Sequence, residues 1–352
     1  MMMKNNKAPV SDSLQRSARM KRFAGNPLTI IIVAVIYALS AAMVYTGTAG
    51  RQFTSMLISV SCYVVMAISL NLVVGFLGEL SLGHAGFMSV GLFSGCLVSI
   101  ATEGVLPMVV RLPISMLVGG IFAAVVGLLV GLPALRLRGD YLAIVTLACG
   151  EIIKSIITNL NITGGALGLN TNSIYSSTQQ LLPYAIVLVF ITMLVIINLK
   201  KSKHGRAIMA IRDNRIAAEA MGIDVTKYKL IVFVLSAFFA GASGVLYGHS
   251  LANIKPATFD YNMSIEILVI VVLGGMGSIR GSIIAAIILR ALPELLREYS
   301  DYRMLIYSIL LIVIMLLNAS PRFAEIKGQW SIKNLVRIIR HRNNKEAEAN
   351  EQ

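Results

Sequence analysis

Long apolar runs recur from residue 28 to residue 318, and they restrict more than any other feature what this chain can fold into. A helix needs about 20 apolar residues to cross the hydrocarbon core of a bilayer. The chain is 56% hydrophobic and 14% charged, whereas soluble domains carry about 25% charged residues. We therefore predict an all-α polytopic membrane protein. Its predicted spans are 28–45, 53–74, 83–101, 113–132, 141–158, 183–199, 229–250, 265–273, 282–296 and 304–318.

The number of crossings is predicted as eight to ten, with about ten preferred. The runs 265–273 and 282–296 are short and are separated by the sequence GGMGSIRG, so they form either two half-helices or one broken span. The run 83–101 is rich in glycine and is either a span or a re-entrant segment. Because glycine weakens helices, the sequence predicts glycine-rich breaks in the membrane domain.

Basic residues cluster outside the apolar runs, and the chain has a net charge of +14. Cytoplasmic loops of membrane proteins carry the excess of Lys and Arg. This predicts a cytoplasmic N-terminal arm (1–27), a cytoplasmic loop (200–228) and a cytoplasmic C-terminal tail (321–352), around a transmembrane domain at 28–320. The tail contains WSIKNLVRIIRHR, a pattern typical of an amphipathic helix on membrane lipid. With the charge in these places, we expect no nucleic-acid partner.

Signatures of catalysis are missing from the sequence. It contains no GxxxxGK[ST] loop for nucleotides and no HExxH, CxxC or GxSxG motif. The four histidines are scattered, and Cys62, Cys96 and Cys149 lie inside apolar runs, where thiols pack as small hydrophobic groups. We therefore expect no catalytic residues, no metal site and no cofactor. Apolar helices with glycine breaks fit a transport path better than an enzyme.

The glycine-rich stretch GFLGELSLGHAGF places three polar side chains inside an apolar segment, namely Glu79, Ser81 and His84. Such groups are unfavourable in lipid and normally face a cavity, a protein interior or the membrane surface. They are candidates for a gate or a translocation path; a wet turn at the cytoplasmic end of the second span and helix packing are the alternatives. Gly274 and Gly275 belong to a similar string, LGGMGSIRG, and are assigned to the same path.

A second candidate segment, NITGGALGLN, follows the fifth span on the predicted outer side. The hydroxyl of Thr163 and the amides of Gly164 and Gly165 offer a site for a carboxylate; the alternative is an ordinary extracellular turn. Within the span, Glu151 and Lys154 are three residues apart and so lie on one helix face. They form either a structural ion pair or a contact to the substrate.

The loop sequence HGRAIMAIRDNRIAAEAMGIDVTKYKL, residues 204–230, is the most specific feature of the chain. It favours a helix from Ala207 to Met221, with Gly222 as a C-terminal stop. A solvated loop would usually contain more Gly, Ser and Pro. A helix of about four turns between two spans indicates a docking surface for a soluble partner.

At this point the sequence resembles a known family. AIRDNRIAAEAMGID is similar to the coupling loop of bacterial ABC importer membrane subunits. GELSLGHAGFMSVG, LRLRGDYLAIVTLACGEIIK, NITGGALGLN and LGGMGSIRGSIIAAIIL resemble, in that order, the LivM-type permeases of branched-chain amino acid importers. The resemblance runs from about residue 54 to residue 318. It implies a permease for leucine, isoleucine or valine in the bacterial cytoplasmic (inner) membrane, with both termini in the cytoplasm.

The resemblance also implies partners and a coupling site. The partners are a homologous LivH-type permease, two cytoplasmic ATP-binding subunits that hydrolyse the ATP, and an external solute-binding protein. The residues assigned to the ATPase contact are Arg212, Asp213, Asn214, Ala217, Ala218, Glu219 and Gly222. Three alternatives remain at this stage: the same machinery with urea, short amides or other amino acids as cargo; an ion-coupled secondary transporter using Glu79, Glu151 and Glu266; and a membrane enzyme.

Overall fold

The computed structural model describes residues 27–47, 50–137 and 139–295, and six single positions between 305 and 316. Eleven α-helices lie in the continuous parts: α1 Pro27–Tyr45, α2 Arg51–Asn71, α3 His84–Ala101, α4 Met108–Ala134, α5 Asp140–Asn159, α6 Thr178–Lys201, α7 Lys203–Asp213, α8 Arg215–Ala220, α9 Val225–His249, α10 Tyr261–Gly274 and α11 Ile279–Leu295. A π-helix, Leu72–Leu77, extends α2. Two short strands, β1 Leu169–Asn170 and β2 Asn253–Ile254, pair antiparallel.

Seven helical segments in this described part are long and apolar enough to cross a membrane, which confirms a polytopic helical fold. They correspond to the predicted second to eighth spans, and the eighth is lengthened to Pro256–Gly274 by a short 3₁₀ turn before α10. The predicted first and ninth spans form α1 and α11, while the tenth falls mostly outside the described residues. The count of about ten is therefore not confirmed.

Two open questions about the short runs are answered by the helices themselves. The glycine-rich run 83–101 forms α3, a continuous helix of 18 residues, so a re-entrant segment is not favoured there. The runs 265–273 and 282–296 form two separate helices, α10 and α11. The turn between them contains Gly275 and Gly277, which adopt φ of 90° and 80°. Only glycine takes up this left-handed region without strain, so the break is encoded in the GGMGSIRG sequence.

The core is built around α2, α3, α4 and α9. Every residue from Ser61 in α2 to Leu77 at the end of the π-helix is buried. Where α3, α4 and α9 cross, the glycines Gly91, Gly119 and Gly241 touch, and a side chain added to Gly241 would lie 2.8 Å from the Gly119 carbonyl oxygen. Small residues let membrane helices approach this closely and gain van der Waals contact.

The helix bundle has two distinct ends. Helices α7 and α8 connect the C-terminus of α6 to the N-terminus of α9, and they define the α7–α8 end. The opposite end holds the β1–β2 pair, where Thr171 donates from its backbone N–H to Ala252 O (3.0 Å) and from its hydroxyl to Leu251 O (2.6 Å). These bonds join the chain after α5 to the chain after α9.

The chain divides into two compact units, Met1–Glu294 and Leu295–Gln352. Apart from Leu295, all the elements above belong to the first unit. The predicted basic arm 1–27 lies outside the described residues except for Pro27, and so does the predicted tail 321–352. Their boundaries stay predictions.

Candidate functional site

The glycine-rich stretch after α2 begins with a change of helix type. The backbone widens into the π-helix Leu72–Leu77, and Gly78 (φ 79°) then ends it. Gly75 lies against another part of the chain, because an added side chain there would collide with Asn71 and with the backbone of Gly277. Short π-helical turns joined to α-helices are frequent at functional sites.

Glu79 follows directly and is not in open water. Its carboxylate forms an ion pair with Lys229 at the start of α9. The Lys229 side chain is only 1% exposed and that of Glu79 15%. A buried lysine without a partner would be strongly unfavourable, so this pair holds the stretch after α2 onto α9. The wet-turn interpretation of Glu79 is therefore not favoured.

His84 and Ser81 lie deeper in the protein. The imidazole of His84, the first residue of α3, is 2.8 Å from the hydroxyl of Ser69 on α2, and both side chains are buried. The Leu82 N–H donates to Thr146 on α5 (3.0 Å), and the Ala85 N–H donates to Ser264 on α10 (3.1 Å). Side chains of three helices thus satisfy the polar groups around the start of α3.

The hydroxyl of Ser81 is buried and has no hydrogen-bond partner in the described residues. It lies within the same stretch as Glu79 and His84.

The break between α10 and α11 meets the end of α2. The Gly277 N–H donates to the side-chain oxygen of Asn71 (2.8 Å), and the Asn71 amide donates to Ser282 on α11 (2.9 Å). Gly274 packs against Gly281, which leaves no room for a side chain between them. The glycine-rich stretch after α2 and the LGGMGSIRG string therefore meet in the fold, with Gly75 against Gly277.

The segment that resembles a coupling loop forms two helices rather than the single helix predicted from Ala207 to Met221. Asn214 ends α7 in an extended conformation and caps α8, because its side chain accepts a hydrogen bond from the Ala217 N–H (3.1 Å). Asparagine commonly plays this N-cap role, and the capping overrode the general helix propensity of the segment. Gly222 adopts φ 79° just after α8, as expected of a C-terminal stop.

The residues assigned to the ATPase contact differ in what they touch. Arg212 donates to the carbonyl oxygen of Gly75 (3.1 Å) and also pairs with Asp213. Glu219 forms an i,i+4 ion pair with Arg215 (2.8 Å) on the surface. Ala218 is only 4% exposed, whereas Ala217 is exposed.

Two exposed apolar residues of this segment were missed by the sequence reasoning. Ile216 is 79% exposed and Met221 is 82% exposed. The sequence analysis assumed a single long helix and did not recognise that a new helix begins after Asn214. It therefore did not predict that Ile216 faces outward. Large apolar side chains on an exposed segment are typical of an interaction surface.

The NITGGALGLN segment uses its polar groups to close α5. The Thr163 hydroxyl is buried and donates to Ile157 O (2.6 Å) and Leu160 O (2.8 Å). The Gly164 N–H donates to Asn161 O (3.1 Å) and the Gly165 N–H donates to Leu160 O (3.2 Å). These contacts favour the turn interpretation, and binding of a carboxylate here stays a prediction.

Glu151 and Lys154 form the ion pair expected from their spacing. The pair lies near the middle of α5 and both side chains are partly exposed. Glu151 also accepts a hydrogen bond from the Tyr261 N–H at the start of α10 (2.9 Å). One edge of this otherwise apolar helix therefore carries charge within a membrane-spanning segment.

The third acid proposed for ion coupling, Glu266, also has partners. It lies 3.6 Å from the guanidinium of Arg290 and accepts a hydrogen bond from the Tyr63 hydroxyl (3.3 Å). Among the described residues, no group of three or more His, Cys, Asp or Glu side chains is arranged to hold a metal ion.

Comparison with known proteins agrees with this architecture. Residues 52–317 match the family described as "Branched-chain amino acid transport system / permease component". The high-affinity branched-chain amino acid transport system permease protein LivM of Escherichia coli K12 is 32% identical over 338 residues, which covers 87% of this chain and 76% of the relative. No solved structure gives a significant match.

Two further relatives match shorter parts of the chain. A probable branched-chain amino acid transport permease protein LivM of Methanocaldococcus jannaschii is 28% identical and covers 54% of this chain and 58% of the relative. The permease LivH of Escherichia coli K12 is 30% identical and covers 37% of this chain and 43% of the relative. The extent of the family match, together with the LivM alignment, establishes that this chain belongs to the family of branched-chain amino acid transport permease components.

Proposed function

We propose that this chain is the membrane-spanning permease subunit of an ATP-binding cassette importer that takes up leucine, isoleucine and valine. The chain itself hydrolyses no ATP; two ATP-binding subunits dock on α7 and α8. A homologous LivH-type permease completes the membrane part, and an external solute-binding protein delivers the cargo. The assembly sits in the bacterial cytoplasmic membrane with α7, α8 and both termini in the cytoplasm.

The exposed end of the coupling segment is the observation that carries this proposal. Ile216 and Met221 are among the most exposed large apolar side chains of the described residues. Ile216 directly precedes the exposed Ala217, and Met221 follows the last residue of α8, so this segment exposes large apolar side chains next to a residue with little steric bulk. Such a surface is unfavourable in water and fits a cleft on a soluble partner. The partner assignment follows the family membership, since the relatives are permease components of transport systems.

The translocation path is proposed to run along α5, at the interface with the second permease. Lipid would be unfavourable around the partly exposed Glu151–Lys154 pair. That edge of α5 is therefore assigned to the water-filled space between the two permeases. Glu79, Ser81, His84, Gly274 and Gly275 are assigned to the inner end of the path, and Thr163, Gly164 and Gly165 to its outer end.

Ion-coupled secondary transport is not favoured by the state of the acids. A coupling carboxylate must exchange its ion during the cycle. Glu79, Glu151 and Glu266 are each engaged by a lysine or arginine in this structure. The coupling segment would also have no role in such a transporter.

Purification of the complex tests the proposal most directly. The chain is extracted from native membranes in detergent, and co-purifying proteins are identified by mass spectrometry. We expect a second permease and ATP-binding subunits with the wild-type chain, and loss of the ATP-binding subunits with Ile216→Glu. Leu167→Glu is the matched control, because Leu167 is 83% exposed at the opposite end of the bundle. A chain that purifies alone would overturn the importer assignment.

Cargo is tested with the same preparation in proteoliposomes. Leucine import that requires ATP and the companion binding protein is the expected result. Import of urea or a short amide in place of leucine would keep the machinery and overturn the proposed cargo.

A further inference from the structure

The guanidinium of Arg212 reaches from α7 to the carbonyl oxygen of Gly75 in the π-helix, although 41% of the side chain is exposed. We propose that Arg212 is a positioning residue that transmits movement of α7 and α8 to the glycine breaks at the end of α2 and between α10 and α11. The inference rests on the proposed function in one respect: the movement comes from ATP-driven closure of docked subunits.

The first support is the hydrogen bond to Gly75. The last backbone hydrogen bonds at the end of the π-helix run from the N–H groups of Gly78 and Glu79 to Val73 O. The carbonyl of Gly75 lies beyond them and would lack a partner, as carbonyls at helix C-termini do. Arg212 Nη1 supplies that partner at 3.1 Å. A cation at a helix C-terminus is also favoured by the helix dipole.

The second support is that Gly75, Gly78 and Gly277 lie around the arginine side chain. A side chain at Gly78 would lie 2.6 Å from Arg212 Cγ, and one at Gly277 would lie 3.7 Å from Arg212 Nη1. Gly277 in turn would approach the carbonyl oxygen of Gly75 at 3.3 Å. The arginine therefore occupies space that Gly78 leaves open, and it lies at ordinary contact distance from Gly277. Through it, α7 contacts the π-helix and lies next to the turn between α10 and α11.

The third support is that the guanidinium also bonds to the carboxylate of the neighbouring Asp213. Its Nε and Nη2 atoms both donate to Asp213 Oδ1, at 3.2 and 2.9 Å. This leaves Nη1 pointing at Gly75. Asp213 thus orients the arginine side chain. A planar guanidinium that makes two hydrogen bonds to one carboxylate is less flexible than the ammonium group of a lysine.

Side chains of α6 and α9 also contact this region at the same end of the bundle. Lys200, near the end of α6, lies over the ring of Phe76 (4.5 Å to the centroid) and donates to Gly277 O (3.5 Å). The Glu79–Lys229 pair ties the same stretch to α9. Because α6 and α9 flank the coupling segment in sequence, they would move with it. Lys200 and Lys229 therefore already connect α6 and α9 to this region, and Arg212 adds a direct contact from α7 itself.

Uncoupling is the expected consequence of losing the contact. In the complete transporter reconstituted in proteoliposomes, Arg212→Ala should keep the ATP-binding subunits bound and ATP hydrolysis active. Leucine imported per ATP hydrolysed should fall about tenfold or more, the size expected for one charge-assisted hydrogen bond. Arg212→Gln keeps an amide donor, and its leucine import per ATP hydrolysed should also fall. This variant serves as the test if the alanine variant does not assemble.

Arg206→Ala is the matched control. Arg206 is an exposed arginine on the same helix, six positions before Arg212, and its removal should leave import per ATP unchanged. A second readout does not depend on the cargo: amide hydrogen exchange with and without ATP and vanadate. Exchange at 72–80 and 274–281 should change on nucleotide trapping in the wild type and in Arg206→Ala, but not in the Arg212 variants.

Unchanged import per ATP in both Arg212 variants would overturn the proposal. Loss of the ATP-binding subunits from both variants would also overturn it, because Arg212 would then act in docking. If the wild-type transporter hydrolyses ATP but imports no leucine, the proposed cargo is wrong. The nucleotide-dependent exchange at 72–80 then decides the role of Arg212 by itself: its persistence in the variants overturns the proposal, and its loss supports it.

Discussion

Helices α2 and α5 have similar lengths and compositions but opposite surroundings. In an 18-residue window of the candidate span Phe53–Leu77, which covers most of α2, 94% of the residues are buried within the chain, and in the corresponding window of α5 only 22% are buried. Both have the hydropathy of membrane spans. The difference is that α2 is enclosed by helices of its own chain, whereas the exposed face of α5 carries Tyr141, Ile144, Ile152 and Ile156.

The comparison teaches where this chain is complete and where it needs a partner. The polar groups of α2 and its extension are satisfied internally, as the buried contacts of Ser69, Asn71 and Glu79 illustrate. On α5 the charged pair Glu151–Lys154 remains partly exposed. Charged groups in the membrane normally face protein or water. The α2 region therefore stabilises the subunit, and we infer that the exposed edge of α5 is used between subunits.

The largest expected difference between the two regions is in their lysine–glutamate pairs. Lys229→Met leaves the mostly buried carboxylate of Glu79 without a cation, and we expect a loss of about 3–5 kcal/mol. Lys154→Met removes a partly exposed pair and should lower stability by at most about 1 kcal/mol. Thermal unfolding of the purified subunit in detergent measures both. Equal losses would contradict the comparison.

A double variant checks the cause of the first loss. Glu79→Gln combined with Lys229→Met removes both charges, so it should recover part of the stability that Lys229→Met alone loses.

Deletion of apolar atoms should give the next largest difference. Leu70→Ala on α2 creates a cavity at a fully buried site and should cost about 2–5 kcal/mol. Ile152→Ala on α5 removes a side chain that is already 57% exposed and should change the stability of the isolated subunit by less than about 1 kcal/mol. We also expect Ile152→Ala to weaken co-purification of the second permease. If Ile152→Ala assembled normally but lost much stability, the roles assigned to the two helices would be reversed.

Thiol labelling perturbs the molecule least, because it needs no substitution. Cys62 on α2 and Cys96 on α3 are fully buried, whereas Cys149 on α5 is partly accessible. A membrane-permeant maleimide should label Cys149 first in the isolated subunit. Assembly with the second permease should slow that labelling, and mass spectrometry of the peptides identifies the site. Cys149 that labels equally fast in the assembled complex would argue that its edge of α5, which lies across the helix from the Glu151–Lys154 edge, faces lipid.

Particular residues explain why some of the candidate site could be predicted. The spacing of Glu151 and Lys154 predicted their ion pair, because residues three apart on a helix are neighbours wherever the helix packs. Gly222 was correctly placed after a helix for a similarly local reason. The partner of Glu79 could not be predicted, because Lys229 is 150 positions away and only the packing of α9 brings it near. The helix break at Asn214 was missed although its cause, an N-cap side chain, is local.

By itself the sequence determined the class of this protein and the positions of most helices. Apolar runs of membrane length have no stable alternative to helices, since every backbone group in lipid needs an internal partner. Only the tertiary structure decided which helices are enclosed, that the two glycine-rich stretches meet, and that Arg212 reaches Gly75. These contacts join residues far apart in the chain through close approaches that glycines permit, and a linear pattern does not record which glycine faces which neighbour.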